Sequence, residues 1–252
     1  MSTLATMQGK VAVVTGGGGG IGSAICRRLA DVGAHVVLTY SRSAEQAEAT
    51  AASLAGAGHL AVCAPVDDSA ALSELAGLVA ARYGRLHLLV NNAGVTQPVA
   101  HADLDALDDE LIDRIFRVNW RGSFACVRAL RPLLEADEGG VVVNISSVAG
   151  VTGLGSNVAY CAAKAALDSM TRSLGRALAP KIRVVSVSPG WVWGEYAARM
   201  PQEVLAEQMA RTPLHRFATP AEVADAVLAA ATLLTMTTGS ILAVDGGRPL
   251  GQ

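Results

Sequence analysis

Tyr160 and Lys164 stand four residues apart in Tyr160-Cys161-Ala162-Ala163-Lys164. On one helical turn that spacing puts a phenol and an ammonium on the same face. A phenol ordinarily ionises near pH 10, so at neutral pH it donates a proton but is a poor base. A cation fixed beside it favours the phenolate and draws the pKa toward the working pH. A shift of roughly three units corresponds to about 4 kcal/mol of differential stabilisation. Such a pair is a reversible proton shuttle, which hydride transfer to a carbonyl or from an alcohol requires. The same spacing occurs on any solvated helix, so the pair carries weight only through its company.

Part of that company is Thr15-Gly16-Gly17-Gly18-Gly19-Gly20-Ile21-Gly22, which joins the apolar run 11–14 to a segment of helical periodicity. Glycines there let the backbone turn tightly and approach a pyrophosphate, whose charge faces the start of the following helix. Five consecutive glycines leave the register open: Gly17, Gly19 and Gly22 fit one dinucleotide spacing, and Gly16, Gly20 and Gly22 fit a wider one. After the next apolar run, an acid would hold the adenosine ribose hydroxyls. This chain instead has Tyr40-Ser41-Arg42-Ser43, and a guanidinium at Arg42 suits a 2′-phosphate. The expected cofactor is therefore NADP(H), favoured over NAD(H).

Three more polar sites stand out: Asn91-Asn92-Ala93-Gly94, Asn119 and Asn144-Ile145-Ser146-Ser147. Asn119 lies in a helical segment, where Asn competes with the backbone; a kink or cap and a water-holding role are both open. A serine hydroxyl after a strand can bond a substrate carbonyl or simply make a turn.

The elements that must position these groups follow from hydrophobic pattern. Seven short runs, 11–14, 35–39, 60–63, 86–90, 141–145, 182–187 and 241–244, are nearly continuous in apolar residues, as strands covered on both faces should be. Between them the helical period marks 21–32, 44–54, 70–83 and 111–134. Alternation of this kind predicts an α/β doubly wound (Rossmann) parallel sheet of seven strands with helices on both faces. With no repeat or linker, 1–252 reads as a single domain. Gly16, Asn91, Ser147 and Pro189 each follow a different strand's carboxyl end, the rim where such sheets bind ligands. The Tyr160 helix starts on that rim near a Ser156-Asn157 cap. The segments 95–103, 148–159 and 191–213 are expected to be loops.

A net charge of −2 without a block of basic residues argues against nucleic acid. No apolar run suits a membrane span, and Met1 to Gln8 lacks the features of a signal peptide. Cys26, Cys63, Cys126 and Cys161 have no metal-ligand spacing, so no metal is expected and four buried thiols in a reducing cytoplasm are.

Taken together, these residues resemble the short-chain dehydrogenase/reductase family in its shorter subtype, along essentially the whole chain, and are similar to 3-oxoacyl-[acyl-carrier-protein] reductases. The resemblance selects Thr15-Gly16-x-x-x-Gly20-x-Gly22 and, by the interval from Ser147 to Tyr160, the second serine of the pair. Asn91-Asn92-Ala93-Gly94, Pro189-Gly190 and Val244-Asp245-Gly246-Gly247 are further landmarks. It implies a catalytic set of Asn119, Ser147, Tyr160 and Lys164. Tyr160 would be acid in reduction and base in oxidation, and Lys164 would lower its pKa and hold the nicotinamide ribose. Ser147 would orient the carbonyl, and Asn119 would anchor a water leading to Lys164. Cofactor contacts would come from Thr15, Gly16, Gly20, Ile21, Gly22, Tyr40, Arg42, Val66, Asn91, Ala93, Gly94, Tyr160, Lys164, Pro189, Gly190 and Val192. The implied partners are a small-molecule carbonyl or alcohol, an acyl carrier if Arg121, Arg128 and Arg131 form a basic patch, and further copies of the chain in a homotetramer built on helices 111–134 and 157–178. The chain departs from the family at Pro65, where relatives carry an adenine-contacting Asp that Asp67 could replace. It departs again at Trp191-Val192-Trp193-Gly194, where they carry a carboxamide-holding Thr. Either tryptophan could wall the substrate pocket or serve lid or subunit packing.

Overall fold

In the computed structural model, residues 6–250 are described; 1–5 and 251–252, including most of the Met1–Gln8 stretch, lie outside the described residues. Seven parallel strands form one sheet in the order β3-β2-β1-β4-β5-β6-β7. They are β1 (Val11–Val14), β2 (His35–Tyr40), β3 (Leu60–Cys63), β4 (Leu88–Asn91), β5 (Gly140–Ile145), β6 (Ile182–Pro189) and β7 (Ile241–Val244). The doubly wound α/β fold read from the hydrophobic pattern is therefore the observed one.

Alternate residues of the central strands feed two cores. Ala12, Val14, Leu88, Val90 and Val143 pack beneath α1 (Gly20–Asp31) and α10 (Pro220–Thr232). Val11, Val13, Leu89 and Val142 face α3 (Ser69–Tyr83) and α5 (Ser123–Leu134). A fully buried Val or Leu contributes roughly 1.5–3 kcal/mol, which is why a strand roofed on both sides needs apolar residues at every position. An Asp at Val90, fully buried, would leave an unpaired charge between sheet and helix. The edge strands depart from the expectation of cover on both faces. β3 and β7 are only partly buried because each has one neighbouring strand. Cys63, expected to be buried, is exposed at the end of β3 for the same reason, while the other three thiols are buried.

Two further corrections bear on the site. The helix expected over 111–134 is instead α4 (Asp109–Phe116), a six-residue π-helical turn at Arg117–Gly122, and α5. Asn119 sits within that turn, and Gly122 lets Val66 close in: a Cβ on Gly122 would fall 2.6 Å from Val66 Cγ2. Segments expected to be loops also carry short helices. They are α6 (Ala149–Thr152), α8 (Glu195–Ala198) and α9 (Gln202–Ala210); the first two are a single turn each, and α9 buries only Leu205, which leaves little apolar stripe to read. The remaining helices are α2 (Ala44–Ala52) and α7 (Val158–Ala177).

Candidate active site

Register fixes where the chemistry can gather. Val14 pairs with Leu38 and Val90, Asn91 with Asn144, and Ile145 with Val187. The loops leaving β1, β2, β4, β5 and β6 thus emerge side by side, and the strand order reverses between β1 and β4, where doubly wound sheets bind ligands.

The glycine loop occupies that reversal. Gly16 and Gly20 have φ of +64° and +53°, a region that side-chain-bearing residues rarely enter. Gly22 is needed for space, since a Cβ there would lie 2.2 Å from the Gly16 carbonyl oxygen. The wider register, Gly16, Gly20 and Gly22, is the one the backbone uses at the turn. Gly17, Gly18 and Gly19 serve close packing against Leu38, Ala47 and Gln46. The α1 N-cap, Gly19, makes no side-chain capping bond, so the first-turn N–H groups suit an anion. A dinucleotide pyrophosphate fits this cradle.

Not every expected cofactor residue faces it. Thr15 is buried; its hydroxyl accepts the N–H groups of Asn92 and Ala93 at 3.0 Å each. Asn92 answers by donating to the Thr15 and Gly16 carbonyls at 2.9 and 3.0 Å. Thr15 therefore shapes the loop rather than touching a ligand. Asn91 is also buried, its amide donating to Asn144 Oδ1 at 2.9 Å, and Val66 lies in the core. Ile21, Tyr40, Ala93, Gly190 and Val192 are half-buried, Arg42 and Gly94 are exposed, and Pro189 is buried at the end of β6. Asp67 lies 3.6 Å from Arg117 in an ion pair.

At the other end of the rim, Asn157 caps α7, its Oδ1 accepting the Tyr160 N–H at 2.7 Å. Its amide donates to the Gln97 carbonyl at 2.7 Å, and Val99 N–H donates to the Ser156 carbonyl at 2.8 Å. The 95–103 loop is thereby stitched to the start of the Tyr160 helix. One turn in, the Lys164 ammonium lies 5.6 Å from the centre of the Tyr160 ring and donates to the Ile145 carbonyl at 2.7 Å. It is buried, and burial pushes its pKa down to about 8 against an upward pull from Asp168. Ser146 is buried and donates to the Lys164 carbonyl at 3.3 Å. Ser147 is half-buried, its hydroxyl accepting the Ala149 N–H at 3.2 Å.

Asn119 holds the loop that follows β4. Its Oδ1 accepts the Val95 N–H and its amide donates to the Val95 carbonyl, both at 2.8 Å. The side chain is thus committed to the loop, and the backbone carbonyl accepts the Ser123 hydroxyl at 3.0 Å. Trp191 and Trp193 both pack on buried Phe217, with ring centres 5.4 and 5.0 Å away, beside Leu205 and Met209 of α9. Packing within the segment that follows β6 is the use the structure gives them.

Sequence reasoning singled out Asn91 and Asn144 but missed the buried polar layer that they form beneath the rim. Asn91, Asn144 and Thr171 form a buried chain, Asn144 donating to Thr171 Oγ1 at 2.8 Å. Ser186 donates to Asp168 at 3.1 Å. The available signal was a polar residue inside a strand meant to be apolar on both faces, as at Asn144 and Ser186. A groove of about 790 Å³ at the opposite edge, among Gln8, Arg28, Asp31 and His35, shares no residue with the rim.

Among known proteins, the chain matches over residues 16–248 the family model described as enoyl-(acyl carrier protein) reductase. It is 38% identical to a cis-4-hydroxycyclohexanecarboxylate dehydrogenase of Sinomonas cyclohexanicum, over 94% of this chain and 96% of that protein. It is 32% identical to a 3-oxoacyl-[acyl-carrier-protein] reductase of Thermotoga maritima, over 96% and 98%. A solved structure from Brucella melitensis, described as a short-chain dehydrogenase/reductase and glucose/ribitol dehydrogenase, superposes with a TM-score of 0.89. Its identity is 32%, with 96% of this chain and 97% of that chain covered.

Proposed function

From the premise that this chain belongs to the short-chain dehydrogenase/reductase family and is an NAD(P)-dependent oxidoreductase, we propose that it reduces a ketone or 3-oxoacyl carbonyl to a secondary alcohol with NADP(H). The observation that carries this reading is the buried Lys164 ammonium, 5.6 Å from the Tyr160 ring at the strand-end rim.

The nicotinamide nucleotide, when bound, supplies the hydride. Gly16, Gly20, Ile21 and Gly22 would hold its pyrophosphate, with Tyr40 and Arg42 at the adenosine end. Pro189, Gly190 and Val192 would lie toward the nicotinamide. Ser147 would donate a hydrogen bond to the substrate oxygen, fixing it for proton transfer. Tyr160 would give that oxygen its proton, and the Lys164 charge would stabilise the phenolate left behind. Asn119, its amide tied to Val95 and its backbone carbonyl already taking the Ser123 hydroxyl, would anchor the water that returns a proton toward Lys164 through the second lone pair of that carbonyl. NADP(H) rests on Arg42 and on the lack of an acid at the end of β2.

Of the two oxidised substrate classes, a free small molecule is favoured over a carrier-bound one. Asp103, Asp105, Asp108, Asp109 and Glu110 crowd the exposed approach to α4 and would repel an acidic carrier. The arginines suggested for docking lie elsewhere in use: Arg121 donates to the Asp67 carbonyl, Arg128 to Ser69, and Arg131 pairs with Glu135. The likeness to the cyclohexanecarboxylate dehydrogenase supports a second reading, oxidation of a small alcohol by the same groups. A single domain acting in the cytoplasm as a homotetramer through α4, α5 and α7 completes the proposal; four unpaired thiols fit a reducing compartment.

A substrate panel read by nicotinamide absorbance with both nucleotides tests it. Tyr160→Phe is expected to keep nucleotide affinity and lose nearly all turnover; activity within a few-fold of the parent would move the proton donor elsewhere. Arg42→Ala should weaken NADPH binding far more than NADH binding, and equal losses would refute the assignment.

A further inference from the structure

One turn beyond Lys164 on α7, Asp168 is only 3% exposed, and the role of such a carboxylate needs explaining. Ser186 of β6 donates to its Oδ1 at 3.1 Å, while Oδ2 is buried without a hydrogen-bond partner among the described residues. Ser146 stands close to both Asp168 and the Lys164 carbonyl but has a single proton, which it gives to the carbonyl at 3.3 Å. A buried carboxylate with one of its oxygens unbonded is expensive unless a charge compensates it. The cations acting on it are Arg172 first and then Lys164, both on α7; the residue just after β5 and strand β6 bring only the hydroxyls of Ser146 and Ser186. Arg172 is exposed, whereas Lys164 is as buried as the acid. The two desolvated charges are therefore each other's natural partner along one helix face.

We infer that Asp168 is a positioning residue that acts through Lys164: its buried negative charge keeps that ammonium protonated where the Ile145 carbonyl holds it. This rests on the proposed role of Lys164, since a lysine that lost its proton would have no charge with which to stabilise a phenolate. Burial alone drives Lys164 toward neutrality and Asp168 toward the acid form; the Ser146 and Ser186 hydroxyls oppose the second tendency, and the attraction between the two charges opposes both. The tie to Ser186 anchors the carboxylate to the sheet, so the counter-charge cannot swing out to solvent.

The chain offers a direct measurement, because its lysines are Lys10, Lys164 and Lys181 alone. Carbon-labelled lysine side chains can be followed by NMR as pH is raised, in the full chain without substrate. Asp168→Asn keeps the shape and an acceptor for Ser186 but removes the charge. The Lys164 resonance should then titrate roughly one pH unit lower than in the parent, with Lys10 and Lys181 unmoved. Asp168→Glu should restore much of the difference. Should Asp168→Asn not fold, Ser186→Ala supplies the same test with a smaller downward shift, because it makes the carboxylate easier to protonate. Lys164 titrating at the parental pH in the folded variants overturns the inference, even if they are less stable. Turnover is not read, so the reductase reading stands or falls separately on Tyr160→Phe.

Discussion

The glycine-rich end of the rim and the lysine-bearing end are built in opposite ways. At Gly16, Gly20 and Gly22 the chain makes room by omitting side chains, and the loop is held by backbone conformation and by Thr15 and Asn92. Around Lys164 it adds side chains instead: Asn91, Asn144, Thr171, Ser186 and Asp168 place polar atoms in a layer that is otherwise apolar. The first design fails when an atom is added and the second when one is removed. A backbone cradle binds an anion of fixed shape, whereas a charge held away from water requires partners that cannot rearrange.

The largest effect should follow from adding atoms to the cradle. Gly22→Val would set a Cβ 2.2 Å from the Gly16 carbonyl and 2.6 Å from the Asn92 amide, displacing the two groups that define the loop. Nucleotide binding, followed by calorimetry, should be lost while circular dichroism stays parental. Gly20→Ala sharpens the comparison, since nothing lies within 4 Å of its Cβ site and only the φ of +53° opposes it. About 1–2 kcal/mol of strain is the expected cost, so affinity should fall without vanishing. If Gly22→Val bound nucleotide normally, space would not be what the cradle provides.

Deleting an amide from the polar layer should rank next. Asn144→Ala leaves the Asn91 amide and the Thr171 hydroxyl short of a buried partner. Roughly 2–4 kcal/mol of stability should be lost by urea denaturation, with nucleotide affinity in the folded fraction kept. A loss under 0.5 kcal/mol would mean that the layer rearranges freely, which breaks the contrast between the two ends.

The same contrast explains what the sequence disclosed. The sheet and the glycine turn were legible because each depends on one residue type at short range: β-branched runs between helices, and glycines after a strand. The register of five glycines came only from the family resemblance, since spacing cannot distinguish a glycine required by positive φ from one such as Gly18 that admits Ala47. Tyr160 and Lys164 declared themselves by spacing along a helix. The roles of Asn144 and Ser186 did not, because their partners come from other strands and helices, and Asp168, one turn beyond Lys164, could not be told from a solvated helix charge until its burial was seen. Asn119 was half legible: an Asn poorly suited to a helix does mark an irregularity, yet only the π turn shows its amide turned onto Val95.

A smaller loss is expected where the two ends meet the 95–103 loop. Asn157 joins both designs, capping the Tyr160 helix with one atom and clamping the Gln97 carbonyl with another. Asn157→Ala should cost about 1–2 kcal/mol from the cap. It should raise KM for the carbonyl substrate more than it changes nucleotide affinity, because the loop it releases lies on the Tyr160 side. Equal losses for both ligands would show that the ends are not mechanically separate.

The smallest effect belongs to the opposite end of β4, which serves as a control for the rim. His87, just before that strand, accepts the Val11 N–H on its Nδ1 at 3.0 Å. Burial first, then Arg85 and Lys10, push its pKa down to about 4. The unfolded chain, with an ordinary imidazole near 6.5, takes up its proton first as the pH falls. His87 therefore contributes stability that is complete above about 6.5 and is lost as pH drops through about 4. The ring is partly open to water, which screens the effect to about 1 kcal/mol or less. The melting temperature of the parent should decline across that window, and His87→Gln, which keeps an acceptor but does not titrate, should flatten the decline without altering turnover at pH 7. Asp168 runs the other way: its raised pKa means that acid favours the folded form there. An acid-side decline that survives in His87→Gln could not come from Asp168, and would have to arise at a carboxylate held below its ordinary range, such as Glu222 beside Arg216.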